Sequence, residues 1–317
     1  MAGEFDLIAK YFRPLAGAEG LELVDDASCV SPPPGMDLIV TKDLLIEKIH
    51  FVGDEAPSSI AEKALAVNLS DLAAKGAKPL HYWLGLALPK QAEESWVADF
   101  TAGLKRSQDK FGISLAGGDT TASPGPVIVS ITAAGVVPKG RMIKRAGARA
   151  GDLVFVSGTL GDASLGLKSV VGELPVSEDL VQRYLRPEPQ MALGQALLGL
   201  ATACADVSDG LLADLGHICE ASDVGAEVRQ GDLPLSAAAQ EVLRANPGEW
   251  PCVFAGGDDY ELVFTVRAED LSKVSLVSNR LGVRLSCIGR IKGTPGCHLV
   301  DKEGLLVQTS RTGYQHF

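Results

Sequence analysis

Carboxylates recur beside glycine, a hydroxyl or a second acid, mostly where apolar runs end, and this pattern limits what the chain can fold into. The clusters are Asp25-Asp26, Thr41-Lys42-Asp43, Asn68-Leu69-Ser70-Asp71, Gly117-Gly118-Asp119-Thr120-Thr121, Asp206-Val207-Ser208-Asp209-Gly210 and Gly257-Asp258-Asp259-Tyr260-Glu261. A strand or helix that stops at such a cluster delivers it to a cleft. Two carboxylates about 4 Å apart repel by roughly 4 kcal/mol at an effective dielectric near 20. A fold that gathers several of them therefore needs cations. Hard oxygen donors, with only 5 histidines in the chain, select Mg²⁺ over softer metals. Magnesium together with glycine-rich turns points to a nucleotide polyphosphate.

At 317 residues the chain is long for one core, and two domains of about 150 residues each are expected. The net charge of −11, with no basic stripe, argues against a nucleic-acid partner. Cysteines 29, 204, 219, 252, 287 and 297 show no C-x-x-C spacing and lie mostly in apolar stretches. They read as reduced thiols of a cytoplasmic protein, not as a disulfide frame or a zinc site. Residues 1–12 pattern as an amphipathic helix, without the basic start and apolar run of a secretion signal. The most apolar stretch, Val127 to Val137, is too short and too polar to span a bilayer, so no membrane association is expected.

The periodicity predicts a strand over 36–41 that Leu44 to Phe51 continues, and a helix over Ser59 to Lys75 stopped by Gly76 and Pro79. A strand over Trp83 to Leu88, a helix over about 93–111, a strand over Ile113 to Ala116 ending at Gly117, and a strand over 127–137 follow. The basic, glycine-rich stretch 139–152 reads as a connector between an N-terminal domain, 1–138, and a C-terminal α/β domain, 153–317. The second half predicts strands at 153–157, 203–207, 252–255, 261–266 and 284–291. Helices are predicted from Asp162, around 177–184 and 189–201, over 211–221 and around 269–281. Strands and helices mix in both halves without all-parallel regularity, which is a two-domain α/β (α+β mixed) architecture.

No G-x-x-x-x-G-K-[ST], no G-x-G-x-x-G after a strand and no H-E-x-x-H occurs, so any phosphate is cradled by metals and other amides. Singly, each cluster has an ordinary explanation. A tight turn accounts for Gly117–Thr121, a helix cap for Asp209, and a solvated helix residue for Asp71. His50 reads equally as a half-buried structural histidine. Arg141, Lys144, Arg145 and Arg149 are either a surface patch or include an arginine that contacts phosphate. The weight lies in the set.

Taken in order, these segments resemble the thiamine-monophosphate kinase family, of the superfamily that also holds aminoimidazole-ribonucleotide synthetases and selenophosphate synthetases. The likeness also takes in Gly3 to Ile8, Ala66 to Ala74, Arg145 to Ala148, Gly151-Asp152, Gly158 to Asp162, Arg183 to Pro187, Gly256 to Leu262 and Gly313 to Phe317. It covers nearly the whole chain. It implies ATP- and Mg²⁺-dependent phosphorylation of thiamine monophosphate to thiamine diphosphate, with several Mg²⁺ ions. It implies too a homodimer joined through the N-terminal domains, a mixed sheet with helices, with ATP near that interface.

By position, the resemblance assigns Asp26, Thr41, Lys42, Asp43, Asp71, Asp119, Asp206 and Asp209 to the metal sites. It assigns Gly118, Asp119, Arg145 and Ser208 to ATP, and His50, Glu261 and Tyr314 to the thiamine substrate. No residue is implied as a general base. Three positions depart from the family pattern: Lys42 stands where Thr or Ser is usual, Lys48 where glycine is common, and Ala122 where arginine is frequent. Two other functions remain open on the residues: another ATP-dependent synthetase of the superfamily, or a non-catalytic nucleotide-binding partner protein.

Overall fold

The computed structural model describes residues 4–309 and 311–314. Of the motif residues above, Gly3, Gln315, His316 and Phe317 lie outside the described residues. Two units separate: one takes the chain up to Leu72 and again Ala77–Gly140, the other Ala73–Gly76 and the chain from Arg141 on. From Arg141 onward the expected connector is part of the second unit. Ile143 and Ala148 are buried among that unit's core residues, so apolar burial fixes a stretch whose glycines suggested a linker.

In the first unit a short helix, α1 (Glu4–Leu7), is followed by β1 (Met36–Ile46), α2 (Pro57–Ala74), β2 (Lys78–Pro89), α3 (Glu94–Phe111), β3 (Ser114–Ser123) and β4 (Ile128–Pro138). The sheet order is β1-β4-β2-β3. β4 runs antiparallel to β1 and β2, and β2 pairs with β3 in parallel. α2 is apolar on most of its circumference, with Ala61, Ala64, Leu65, Leu69 and Leu72 fully buried, as a helix in a core must be. α3 is two-faced, turning Val97, Phe100 and Leu104 inward, and ends at Gly112 in the left-handed conformation that caps helices.

β3 does not stop at Gly117, as expected, but continues through Thr121, paired with Trp83 to Ala87. Gly118 permits this, because a Cβ there would lie 2.0 Å from the Leu84 carbonyl oxygen. Glycine inside a strand here marks close backbone approach and not a turn. β1 likewise runs unbroken through Thr41, Lys42 and Asp43.

The second unit contains β5 (Leu153–Ser157), α4 (Asp162–Val170), α5 (Glu178–Leu185), α6 (Met191–Ala196), β6 (Ala203–Asp206), α7 (Leu211–Ser222), β7 (Gly225–Arg229), α8 (Ala237–Ala245), α9 (Pro251–Phe254), β8 (Leu262–Val266), α10 (Leu271–Leu281), β9 (Leu285–Lys292) and β10 (Gly296–Val300). Its sheet runs β10-β7-β9-β5-β8-β6, with β10 and β7 parallel and the remaining neighbours antiparallel. The strand expected at 252–255 is instead the helical turn α9. Pro251 at its first position presets a helical φ, and apolar burial of Cys252 to Phe254 gave the strand-like signal. Among the described residues no helix is long and apolar enough to cross a membrane.

Candidate active site

On β1, Thr41 and Asp43 are two residues apart and share one face. That face meets α2, where Asp71 accepts a short hydrogen bond from the Thr41 hydroxyl. Lys42 points to the opposite face. Its ammonium donates to Ser130 Oγ at 2.6 Å and reaches Thr132 Oγ1 at 3.4 Å. The sheet therefore separates the lysine side chain from the Thr41–Asp43–Asp71 group. Asn68, three residues before Asp71, is fully buried and donates to the Ala64 carbonyl.

Asp119 is on the face away from that group. Residues paired across strands point the same way, and Asp119 is in register with Gly85, which is in register with Ser130. There a cavity of about 480 Å³ is lined by Asp25, Asp26, Trp83, Gly117, Gly118 and Asp119, with apolar Ile8 and Phe12. Asp26 donates its backbone N–H to Asp25 Oδ1 at 2.8 Å, and the Trp83 indole donates to Ser28 at 2.8 Å. The metal residues expected in the first unit thus form two groups, one on each side of the sheet.

His50 follows β1 in a tight turn. Its Nδ1 accepts from the Ile46 amide at 3.0 Å, so in the neutral ring Nε2 carries the proton. Lys48, at the family's common glycine, has φ 68°, the left-handed conformation glycine adopts without cost. The turn keeps the geometry a glycine would give it, with strain in place of freedom.

In the second unit, Asp206 ends β6 and is buried, while Ser208 and Asp209 are half-buried just before α7. The backbone between is held on both sides. The carbonyls of Val207, Ser208 and Asp209 accept from the amides of Tyr260, Asp258 and Tyr314 at 2.8, 2.9 and 2.9 Å. The amides of Ser208, Asp209 and Gly210 all donate to Asp214 Oδ2, at 3.0, 3.1 and 3.2 Å. Burial, then the charges of Asp206 and Asp209, push Asp214 up to about 8. Carboxylate oxygens of Asp209 and Asp214 and a ring nitrogen of His217 lie within 4.8 Å of one another. Of these, Asp209 beside Asp206 offers the hard oxygen donors a hard cation takes, while Asp214 Oδ2 is already taken by the three amides.

Glu261 is almost fully buried, 2 % exposed. It accepts from Ser157 at 2.6 Å and from Arg183 at 2.8 Å, so its carboxylate anchors the loop that carries it. Asp259 is equally buried, accepts from the Gly161 amide at 2.7 Å, and is raised well above the carboxylate range by burial. Burial also raises Glu261, against the opposing charge of Arg183. Glu261, Asp259 and Asp162 together hold the Arg183 guanidinium protonated against its own burial.

Tyr314 is half exposed and lines a cavity of about 670 Å³ with Asp209, His217 and Gly313. Arg145 is exposed on the stretch before β5, its carbonyl accepting from Ser222. Sequence reasoning passed over Asp214 and did not single out Arg183. The available signal for Asp214 was an acid in the first turn of a helix, close in sequence to the Asp206–Gly210 cluster.

The architecture has counterparts among known proteins. Residues 24–137 match the N-terminal domain, and 149–302 the C-terminal domain, of AIR synthase related proteins. The thiamine-monophosphate kinase of Haemophilus influenzae is 42% identical over 99% of this chain and 98% of its own. The crystal structure of thiamine-monophosphate kinase from Stenotrophomonas maltophilia K279a superposes with TM-score 0.86 at 40% identity, covering 96% of this chain and 98% of that one. AaThiL, complexed with AMPPCP and TMP, superposes with TM-score 0.78 at 32% identity, covering 99% and 97%. With similarity running over 99% of the chain at 42% identity, the chain belongs to the thiamine-monophosphate kinase family.

Proposed function

We propose that this protein transfers the γ-phosphoryl group of ATP directly to thiamine monophosphate, giving thiamine diphosphate and ADP. The observation that carries the reading is the placing of Asp206, Ser208 and Asp209 on one backbone segment held from both sides, on a chain whose relatives bear this name end to end. The acceptor is a phosphate monoester with a second pKa near 6, so its oxygen needs no base near neutral pH. Repulsion between two polyanions is the obstacle that remains.

Thr41, Asp43 and Asp71, with Asp26, Asp119, Asp206 and Asp209, are the residues that would hold Mg²⁺. Lys42 enters this set through its main chain only, since its ammonium is engaged with Ser130 on the other face. Bound magnesium supplies charge neutralisation and polarisation of the transferring phosphoryl group. The protein's own part is positioning. The Asp25–Asp26 loop and the Gly117–Asp119 strand line one cavity with Trp83, and this favours it as the nucleotide side, with Gly118 and Asp119 facing the phosphates. Ser208 and Arg145 are proposed to contact ATP as well. His50 and the Tyr314 ring, suited to stacking on a cationic heterocycle, serve thiamine monophosphate, and Glu261 supports that side by fixing its loop through Arg183.

The protein acts as a homodimer in the cytoplasm. In support of the dimer, β1 exposes Leu38, Val40 and Leu44 in alternation along one face, a stripe suited to a second copy. In support of the compartment, all six cysteines are free. An acceptor screen tests the function: ADP release that requires thiamine monophosphate is expected. Release with a different acceptor would make it another synthetase, and ATP binding without release a non-catalytic partner.

A further inference from the structure

The helix α7 begins on Gly210, which has no side chain to cap the first amides. A glycine is needed there: φ is 126°, and a Cβ would lie 2.9 Å from the Ala255 carbonyl carbon. Asp214, in the first turn of α7 and 1 % exposed, reaches back to the amides that lead into the helix. One oxygen, Oδ2, gathers the amides of Ser208, Asp209 and Gly210 within 3.2 Å. On the other side of the same segment, three carbonyls are taken by Asp258, Tyr260 and Tyr314. With the backbone held from both sides, Ser208 and Asp209 keep their side chains as the parts that meet a ligand.

We propose that Asp214 is a positioning residue, whose buried carboxylate sets the Ser208–Gly210 backbone and so presents Asp209 and Ser208 to metal and nucleotide. This rests on the kinase reading for what the two side chains bind. It assigns Asp214 no contact with substrate. Asp214 acts on Asp209 as a second-layer partner acts on a metal ligand, and loss of such a partner typically weakens metal affinity or activity by roughly 10- to 100-fold.

The test pairs Asp214→Ala with wild type and Asp209→Asn. Alanine removes the acceptor and leaves the amides of Ser208, Asp209 and Gly210 without their side-chain partner. The expected result is a folded protein, by its cooperative thermal transition, whose half-saturating Mg²⁺ rises about tenfold or more, beyond any fall in kcat at saturating Mg²⁺. A fall in kcat at an unchanged Mg²⁺ midpoint, or no change in either, overturns the proposal. A second readout needs no turnover, and its wild-type arm does not depend on the variant. In metal-free wild type, the amides of residues 208–210 exchange slowly with deuterium, and in folded Asp214→Ala they exchange fast. Fast exchange in wild type overturns the positioning role directly. Wild type that fails to phosphorylate thiamine monophosphate at any Mg²⁺ concentration sinks the kinase reading instead, so the two failures are distinct.

Discussion

The backbone N–H of Tyr314 donates to the Asp209 carbonyl oxygen at 2.9 Å, tying the C-terminal tail to the loop proposed to hold metal and ATP. Gly313 makes that approach possible. A Cβ on residue 313 would lie 2.5 Å from Ala213 Cβ and 2.9 Å from the Asp209 carbonyl oxygen. Gly313→Val should lift the tail and displace the Tyr314 ring. Steady-state kinetics should then show KM for thiamine monophosphate raised about tenfold, equivalent to about 1.4 kcal/mol, with the melting temperature nearly unchanged.

Lys42 and Asp43 are neighbours on β1 with opposite duties. The lysine ammonium is exposed and bonded to Ser130, whereas Asp43 shares the α2-facing side with Thr41. Lys42 lies among Leu38, Val40 and Leu44 on the face proposed to meet a second copy, so Lys42→Thr should leave kcat/KM of the dimer within about threefold, roughly 0.65 kcal/mol. Asp43→Asn should lower it by roughly a hundredfold, about 3 kcal/mol of lost charge stabilisation. Equal losses in the two variants would mean that the lysine side chain takes part.

Arg183 faces Asp162, Asp259 and Glu261. Removing it as Arg183→Leu leaves buried carboxylates without their compensating charge, at a cost of about 3–5 kcal/mol. The pH dependence has a defined sign. Asp259 and Glu261 already have raised values, and loss of the arginine raises them further. Their unfolded counterparts titrate near 3.8 and 4.5. The stability of the variant is thus fully present below about pH 4 and is lost as pH rises through the raised folded values. Denaturation midpoints should fall from pH 5 to pH 8 more steeply in Arg183→Leu than in wild type.

Thiol reactivity offers an independent check on the packing. Cys29 is exposed, while Cys204 is fully buried and burial pushes its thiol up to about 12. A thiolate reagent at pH 8 should label Cys29 first. It should reach Cys204 only on unfolding, as peptide mapping would report.

The sequence made some of this legible and hid the rest for identifiable reasons. Helical spacing located α2 within two residues at its start and one at its end, because an apolar 18-residue helix has few competing readings. The acid clusters marked the loops of interest, yet spacing alone did not reveal that Asp119 and Asp43 occupy opposite faces of one sheet. That depends on the register of β2, β3 and β4, where one extra residue at Ala116 shifts the pairing. Glycine at 118 was read as a turn because close approach to Leu84 leaves the same residue behind. The resemblance places Glu261 on the substrate side, and its partners Arg183 and Ser157, 78 and 104 positions away, are beyond what sequence spacing can link to it. β7, α8 and β10 gave no signal strong enough to be expected.

The central claim is direct transfer to thiamine monophosphate, and γ-labelled ATP tests it most directly. The protein is incubated with Mg²⁺, labelled ATP and thiamine monophosphate, with Asp43→Asn in parallel, and products are separated by chromatography. The account predicts label in thiamine diphosphate in a one-to-one ratio with ADP, formed roughly a hundredfold more slowly by the variant. Label released only as inorganic phosphate, or retained in ATP while the nucleotide remains bound, would contradict it.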